Sequence, residues 1–338
     1  MIRIVAAICA AIVTAAGWAQ AAPSGDDAPL AIPLAVSQNH AFGTYKARID
    51  VAIGNAAPLA FGFDTGSSGL HVFADANLDA PGSGVRCTQT PTSVTYGNPA
   101  RITYTGVVCY AQLHFQGLST PSAVPIAYLT SATCPPTNPG CTIPDLRSPR
   151  AMNGYGVFGA GLTGVMAGEG NVPNPFLTLP GHRGSVYSIT LRRSGGEVIL
   201  GADEPSEAME FALRSGGRSG ERYSFPQTCV FVNGRQTNFC PSISFDTGNG
   251  VPWIHSTQAV PVPQVDGFVK PGTRLGFAPP GDAREATALV AGSSFADKVK
   301  VVTIAGKAPL TNVSIQAFLD RVVTYDDARG VIAVAPAR

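Results

Sequence analysis

Phe63-Asp64-Thr65-Gly66 and Phe245-Asp246-Thr247-Gly248 are one motif written twice, 182 positions apart. Each copy closes an apolar, strand-like run, Leu59 to Phe63 in the first and Ile243 to Phe245 in the second. Each therefore sets an Asp where a strand turns into a loop, so that a carboxylate can emerge from a sheet edge into a cleft. A lone Asp-Thr-Gly is an ordinary turn tripeptide, because Asp and Gly favour turns without any chemistry. Two copies in equivalent places predict two related halves that bring Asp64 and Asp246 together across their interface.

The chemistry of such a pair is specific. Two close carboxylates cannot easily both ionise, so they share one proton and their pKa values separate. The ionised partner can act as general base on a water, and the protonated partner can polarise a carbonyl and later protonate a leaving amine. Thr65 and Thr247 carry hydroxyls that can reach the opposite loop and hold the pair rigid. Gly66 and Gly248 let backbone amides approach the carboxylates closely. Ser67 can donate to Asp64.

The rest of the chain is consistent with a sheet protein. Charged residues make up 13% of the 338, hydrophobic residues 45%, and the formal net charge is +1. Disorder needs lower hydrophobicity or higher net charge, and a nucleic-acid partner calls for a basic excess that is missing. Gly (38) and Pro (28) are too abundant for a helical bundle and suit many short strands. Strand signals recur at Arg48 to Ile53, Glu197 to Leu200, Val323 to Tyr325 and Gly330 to Val334. Gly97-Asn98-Pro99 and Asn233-Gly234 read as hairpin turns between further strands. Helical windows are few, near Ile315 to Arg321 and Asp282 to Val290. Ser131 to Arg150 and Ser215 to Gly220 read as loops.

Residues 1–21 read as a signal peptide: Arg3, an apolar run from Ile4 to Ala16, and Ala19-Gln20-Ala21 as cleavage site. The run is too short to span a bilayer, so no membrane association is expected after cleavage. The chain without it carries 22 basic and 22 acidic groups, a balance that suits a substrate recognised without electrostatic steering. Six cysteines remain, Cys87, Cys109, Cys134, Cys141, Cys229 and Cys240, an even number in an exported chain. Fifteen pairings are open; the local choice is Cys87–Cys109, Cys134–Cys141 and Cys229–Cys240. No Cys or His spacing suits a metal, and His40, His71, His114, His182 and His255 are scattered. No Gly-x-Ser-x-Gly elbow is present. No cofactor is expected.

Around the two motifs the chain resembles the pepsin-like aspartic endopeptidases over nearly all of its length beyond the signal peptide. Asp64 to Ser68 matches the family's first catalytic motif, and Asp246 to Gly248 its second. Ser93 to Gly97 followed by Thr105-Gly106 looks like the flap hairpin, with Tyr96 as the flap tyrosine and Gly97 and Asn98 beside it. Gly156 to Gly159 resembles the hydrophobic-hydrophobic-Gly segment behind the first motif, and Val323 to Pro336 the C-terminal strands. The resemblance implies a bilobal, all-β fold of two barrel-like lobes, 22–193 and 194–338, with a cleft between them for an extended polypeptide. It further implies an exported, periplasmic or secreted endopeptidase, monomeric, with Asp64 and Asp246 activating water best in acid and a hairpin closing over the substrate.

Three positions depart from the family pattern. Asn249 follows the second motif where Ser or Thr is usual, and its amide can donate to Asp246. His71 stands where a Trp bonds the flap tyrosine. Ser314 stands where the second hydrophobic-hydrophobic-Gly segment has Gly, so packing behind the second loop is expected to differ. No basic prosegment is evident after Ala22. These departures favour an alternative, a pepsin-fold binding or inhibitory protein with weak or no catalysis. A lectin-like sandwich with coincidental turns is a third reading, against which the duplicated motif counts.

Overall fold

Alternating apolar residues dominate the chain, and they fold as strands. The computed structural model describes residues 28–337 except 40–42, 79, 98–100, 139, 144, 147–153, 164–170, 217–220, 305 and 320. The signal segment, His40, Asn98 and parts of both predicted loops lie outside the described residues. Among the described residues there is no α-helix, only short 3-10 turns. The fold is all-β and bilobal.

A central antiparallel sheet joins distant parts of the sequence. Its strands run in the order Met209–Ala212, Val331–Pro336, Arg321–Asp326, Val186–Arg192, Gly195–Leu200 and then Leu30–Asn39. The last of these changes partners halfway. Leu30 to Leu34 pair with Gly196 to Leu200, and Ala35 to Asn39 pair with Thr44 to Arg48. One strand thus carries the central sheet into the sheet of the first lobe.

Both halves repeat one three-strand device. In the first, Gly156–Ala160 lies parallel to Leu59–Asp64 and antiparallel to Ser68–Phe73. In the second, Leu310–Asn312 lies parallel to Ser242–Ser244 and antiparallel to Trp253–Ser256. The inserted strand separates the two arms of each Asp-Thr-Gly turn and fixes where its Asp emerges. Phe61, Phe63 and Phe245 are fully buried behind these turns. Phe63 stacks on Phe158 at 6.0 Å, and Phe245 meets Phe211 edge-on at 5.3 Å. Burying each such ring stabilises the scaffold by roughly 2–3 kcal/mol.

The three local cysteine pairs form as disulfides, Cys87–Cys109, Cys134–Cys141 and Cys229–Cys240. Asn233 and Gly234 both take positive φ, 50° and 79°, the geometry of a tight two-residue hairpin turn. The helical expectations need correction. Ile315–Phe318 is a single 3-10 turn, and Thr287–Val290 is a strand paired with Arg274–Ala278. There Thr287 and Leu289 are buried while Val290 is exposed, a period of two that overrides the helical spacing.

Candidate active site

Asp64 ends the strand Leu59–Asp64, and Asp246 follows Ser242–Ser244 by two residues. The two turns meet face to face. Thr65 N donates to Thr247 Oγ1 at 3.1 Å, and Thr247 N donates to Thr65 Oγ1 at 3.0 Å. Each hydroxyl in turn donates across the interface: Thr65 to the Phe245 carbonyl and Thr247 to the Phe63 carbonyl, both at 2.8 Å. Both threonines are buried, so breaking one bond would strand a partner at a cost of about 1–3 kcal/mol. Tyr325 Oη also donates to the Phe245 carbonyl at 2.9 Å, which ties the second turn to the central sheet.

The glycines explain how closely the loops approach. A Cβ on Gly66 would lie 2.6 Å from both carboxylate oxygens of Asp246, and one on Gly248 would overlap the carboxylate of Asp64. Each carboxylate therefore sits against the glycine of the opposite turn, and no larger residue fits there.

Each carboxylate also accepts two donors. Asp64 Oδ1 accepts from Gly66 N at 2.8 Å, and Oδ2 from Ser67 Oγ at 2.6 Å. Asp246 Oδ1 accepts from Asn249 N at 3.1 Å, and Oδ2 from Asn312 Nδ2 at 2.6 Å. The carboxamide of Asn249 does not reach Asp246, which corrects the sequence expectation. It donates instead to the Val251 carbonyl at 2.8 Å and to Asn312 Oδ1 at 3.0 Å. Ser314 N donates to the same Asn312 oxygen at 2.9 Å. Asn312 is thus the residue that sequence reasoning missed. Replacement of Ser67 by Asn249 in the second repeat was the signal that another donor had to be found.

Ser314 keeps the conformation a glycine would take. It is fully buried with φ 56° and ψ −174°, a region that side chains occupy only under strain. Its hydroxyl accepts from Gln316 N at 3.3 Å and so caps the turn Ile315–Phe318. The second loop is packed through this cap and the Asn312 bond.

Burial in the cleft, then the neighbouring Asp64 charge, pushes the Asp246 carboxyl up to about 7; the Asn312 donor opposes that shift. At mildly acid pH Asp246 is therefore protonated. Among the described residues no group of three His, Cys, Asp or Glu is placed to hold a metal.

The hairpin of Arg86–Tyr96 and Ile102–Ala111, with Tyr96 opposite Ile102, brings Val94 to Gly97 to the cavity that holds the pair. Tyr96 Oη and His71 Nδ1 are 2.6 Å apart, with the rings edge-on. Burial lowers His71 to about 4, so it is neutral in this bond above that pH. Burial and the charge of Asp64 hold the Tyr96 phenol well above its usual value, so it remains a hydroxyl. Asp64, Asp246, Tyr96 and Gly97 line one cavity of about 640 Å3 together with Trp253, Phe268 and Phe295. A second hollow of about 650 Å3, lined by Ser37 to Asn39 and Val157, shares Asp64, Tyr96, Gly97 and Gly248 with it. The two hollows meet at Asp64, Tyr96, Gly97 and Gly248, and Asp246 lines the first of them.

No protein-family model and no curated protein matches this chain. Among solved structures it is similar to the crystal structure of aspartic proteinase from Irpex lacteus, with a TM-score of 0.60. The match covers 92% of this chain and 98% of that one, at 16% sequence identity. That likeness over nearly the whole of both chains gives this protein the bilobal all-β fold of an aspartic proteinase.

Proposed function

We propose that the protein is an aspartic endopeptidase that hydrolyses extended polypeptides. The observation that carries the reading is the facing pair Asp64 and Asp246, locked by the reciprocal Thr65 and Thr247 bonds. Asp246 holds the shared proton and directs it at the scissile carbonyl. Asp64 takes a proton from the attacking water, and the tetrahedral intermediate collapses as a proton passes to the leaving amine. No bond to the enzyme forms. Tyr96 and its hairpin close over the chain and exclude solvent. The pair must keep one proton, so activity belongs below about pH 7, where Asp246 is protonated. The departures at Asn249, His71 and Ser314 leave both carboxylates with two donors each, which argues against the non-catalytic alternative.

The apolar segment with its Ala19-Gln20-Ala21 site and the three disulfides support export to an oxidising compartment. N-terminal sequencing of the exported form is expected to begin at Ala22, and a retained leader would refute the signal assignment. Cleavage of an unfolded protein from pH 3 to 8 tests the chemistry. Asp64→Asn and Asp246→Asn are each expected to lose about 100- to 10,000-fold in rate while staying folded. An inactive wild type, or variants that cleave as well as it does, would overturn the dyad mechanism.

A further inference from the structure

The near-neutral net charge of the whole chain hides a local imbalance. The two hollows of the cleft are lined by Lys46, Arg48 and Lys300 and, apart from Asp64 and Asp246, by no carboxylate. Lys46, on the strand Thr44–Ile53, lines both hollows, and its Nζ donates to the Gly248 carbonyl at 2.7 Å. The carbonyl it holds belongs to the Asp246-Thr247-Gly248 turn itself. Arg48 Nη2 donates to Ser37 Oγ at 3.2 Å. Lys300 is exposed at the start of Lys300–Thr303, opposite Phe268 in the sheet and in the same hollow as the exposed ring of Phe295. None of the three makes an ion pair among the described residues.

Outside the cleft several arginines meet carboxylates, while others such as Arg193 and Arg214 meet a ring or neutral oxygens. Arg222 pairs with Asp327, Arg274 with Glu285, and Arg329 with both Glu204 and Glu210. The cleft thus presents ammonium groups beside apolar walls, with no carboxylate in its lining other than the dyad. A glutamate side chain suits that lining: its methylenes can lie along the exposed ring of Phe295 and its carboxylate can reach a lysine.

We propose that the cleft selects extended polypeptides that carry an acidic side chain close to the bond presented to the dyad, with Lys46 and Lys300 as the recognising cations. This substrate class rests on the peptidase reading above. The proton balance of the site permits it. Asp246 keeps its proton up to about 7, whereas a substrate glutamate ionises above about 4.3. Near pH 5.5 a protonated dyad partner therefore coexists with charged acidic side chains.

The test uses the exported protein at pH 5.5. Cleavage sites in an unfolded protein are first located by mass spectrometry. Labelled peptides are then made around one such site, in pairs that differ only by Glu or Gln at successive positions. At one position or more the Glu peptide is expected to have about fivefold higher kcat/KM. In Lys300→Glu or Lys46→Met that ratio is expected to fall toward one, and in Lys300→Glu a Lys-bearing peptide should overtake the Glu peptide. Equal rates for Glu and Gln at every position would overturn the proposal, as would a wild-type ratio in both variants. If the unfolded protein is not cut at any pH, the peptidase reading fails, and fluorescence anisotropy of labelled extended peptides that differ only by Glu or Gln at one position decides this one. Tighter binding of Glu peptides would sustain it, and equal binding would end it.

Discussion

Three residues past Asp64 stands Ser67, and its hydroxyl donates to Asp64 Oδ2. Three residues past Asp246 stands Asn249, and its carboxamide turns away to hold Asn312, which donates to Asp246 Oδ2 in its place. Asn312 pairs with Ser244, two residues before Asp246; the equivalent partner of Gly62, two before Asp64, is Val157. A donor on the loop in one half has been exchanged for a donor on the inserted strand in the other. The exchange is not chemically neutral. A serine hydroxyl can donate or accept, but an amide nitrogen only donates. Asn249 Nδ2 and Ser314 N both occupy the Asn312 oxygen, which fixes its nitrogen toward Asp246. The proton on Asp246 must therefore point away from Asn312.

If the two turns are equivalent in their close approach, Gly66→Ala and Gly248→Ala should fail alike. Each methyl displaces the opposite carboxylate, and kcat is expected to drop about 100-fold in both. Retained turnover in one of them would break the symmetry. The donor exchange is tested next. Asn312→Leu removes a bond that favours the charged form of Asp246, so the Asp246 carboxyl rises further above 7. Its kcat should fall about tenfold, and the alkaline limb of its pH–rate profile should move upward, by more than in Ser67→Ala. An unmoved limb would show that Asn312 is structural packing alone.

Seven residues past each Asp the halves differ again, with His71 beneath the hairpin and Trp253 in the cleft wall. His71 gains a proton as pH falls through about 4, placing a cation in a buried site. His71→Phe should lose about fivefold in turnover at pH 5, and any acid step near pH 4 should vanish with it. A step that survives the substitution belongs to another group. The smallest effects are expected from restoring symmetry. Asn249→Ser offers Asp246 the hydroxyl that Asp64 has, and its kcat is expected to stay within about threefold of wild type because one donor replaces another. Ser314→Gly relieves a positive φ but loses a cap, so thermal unfolding should show a net change of about 1 kcal/mol or less.

The repeated motif made the paired turns legible, because strand, Asp and Gly are local signals. Asn233-Gly234 and the cysteine spacings were legible for the same reason. Asn312 was not, since its meaning comes from a partner 66 positions away and from the parallel pairing that delivers it. Lys46 reads as an ordinary strand residue until the fold carries it 202 positions to Gly248. The helical expectation over Asp282 to Val290 failed because Thr287–Val290 pairs with Arg274–Ala278 and buries Thr287 and Leu289 on one face.

The disulfides close separations of 22, 7 and 11 residues, each inside one hairpin or loop. None crosses from the Asp64 turn to the Asp246 turn. One of them, Cys87–Cys109, braces the hairpin that carries Tyr96, whereas the meeting of the two carboxylates depends on non-covalent bonds: threonine hydroxyls, Tyr325, Lys46 and sheet pairing. Reduction of Cys87–Cys109 would loosen the hairpin that carries Tyr96 without cutting any covalent link between the two Asp turns.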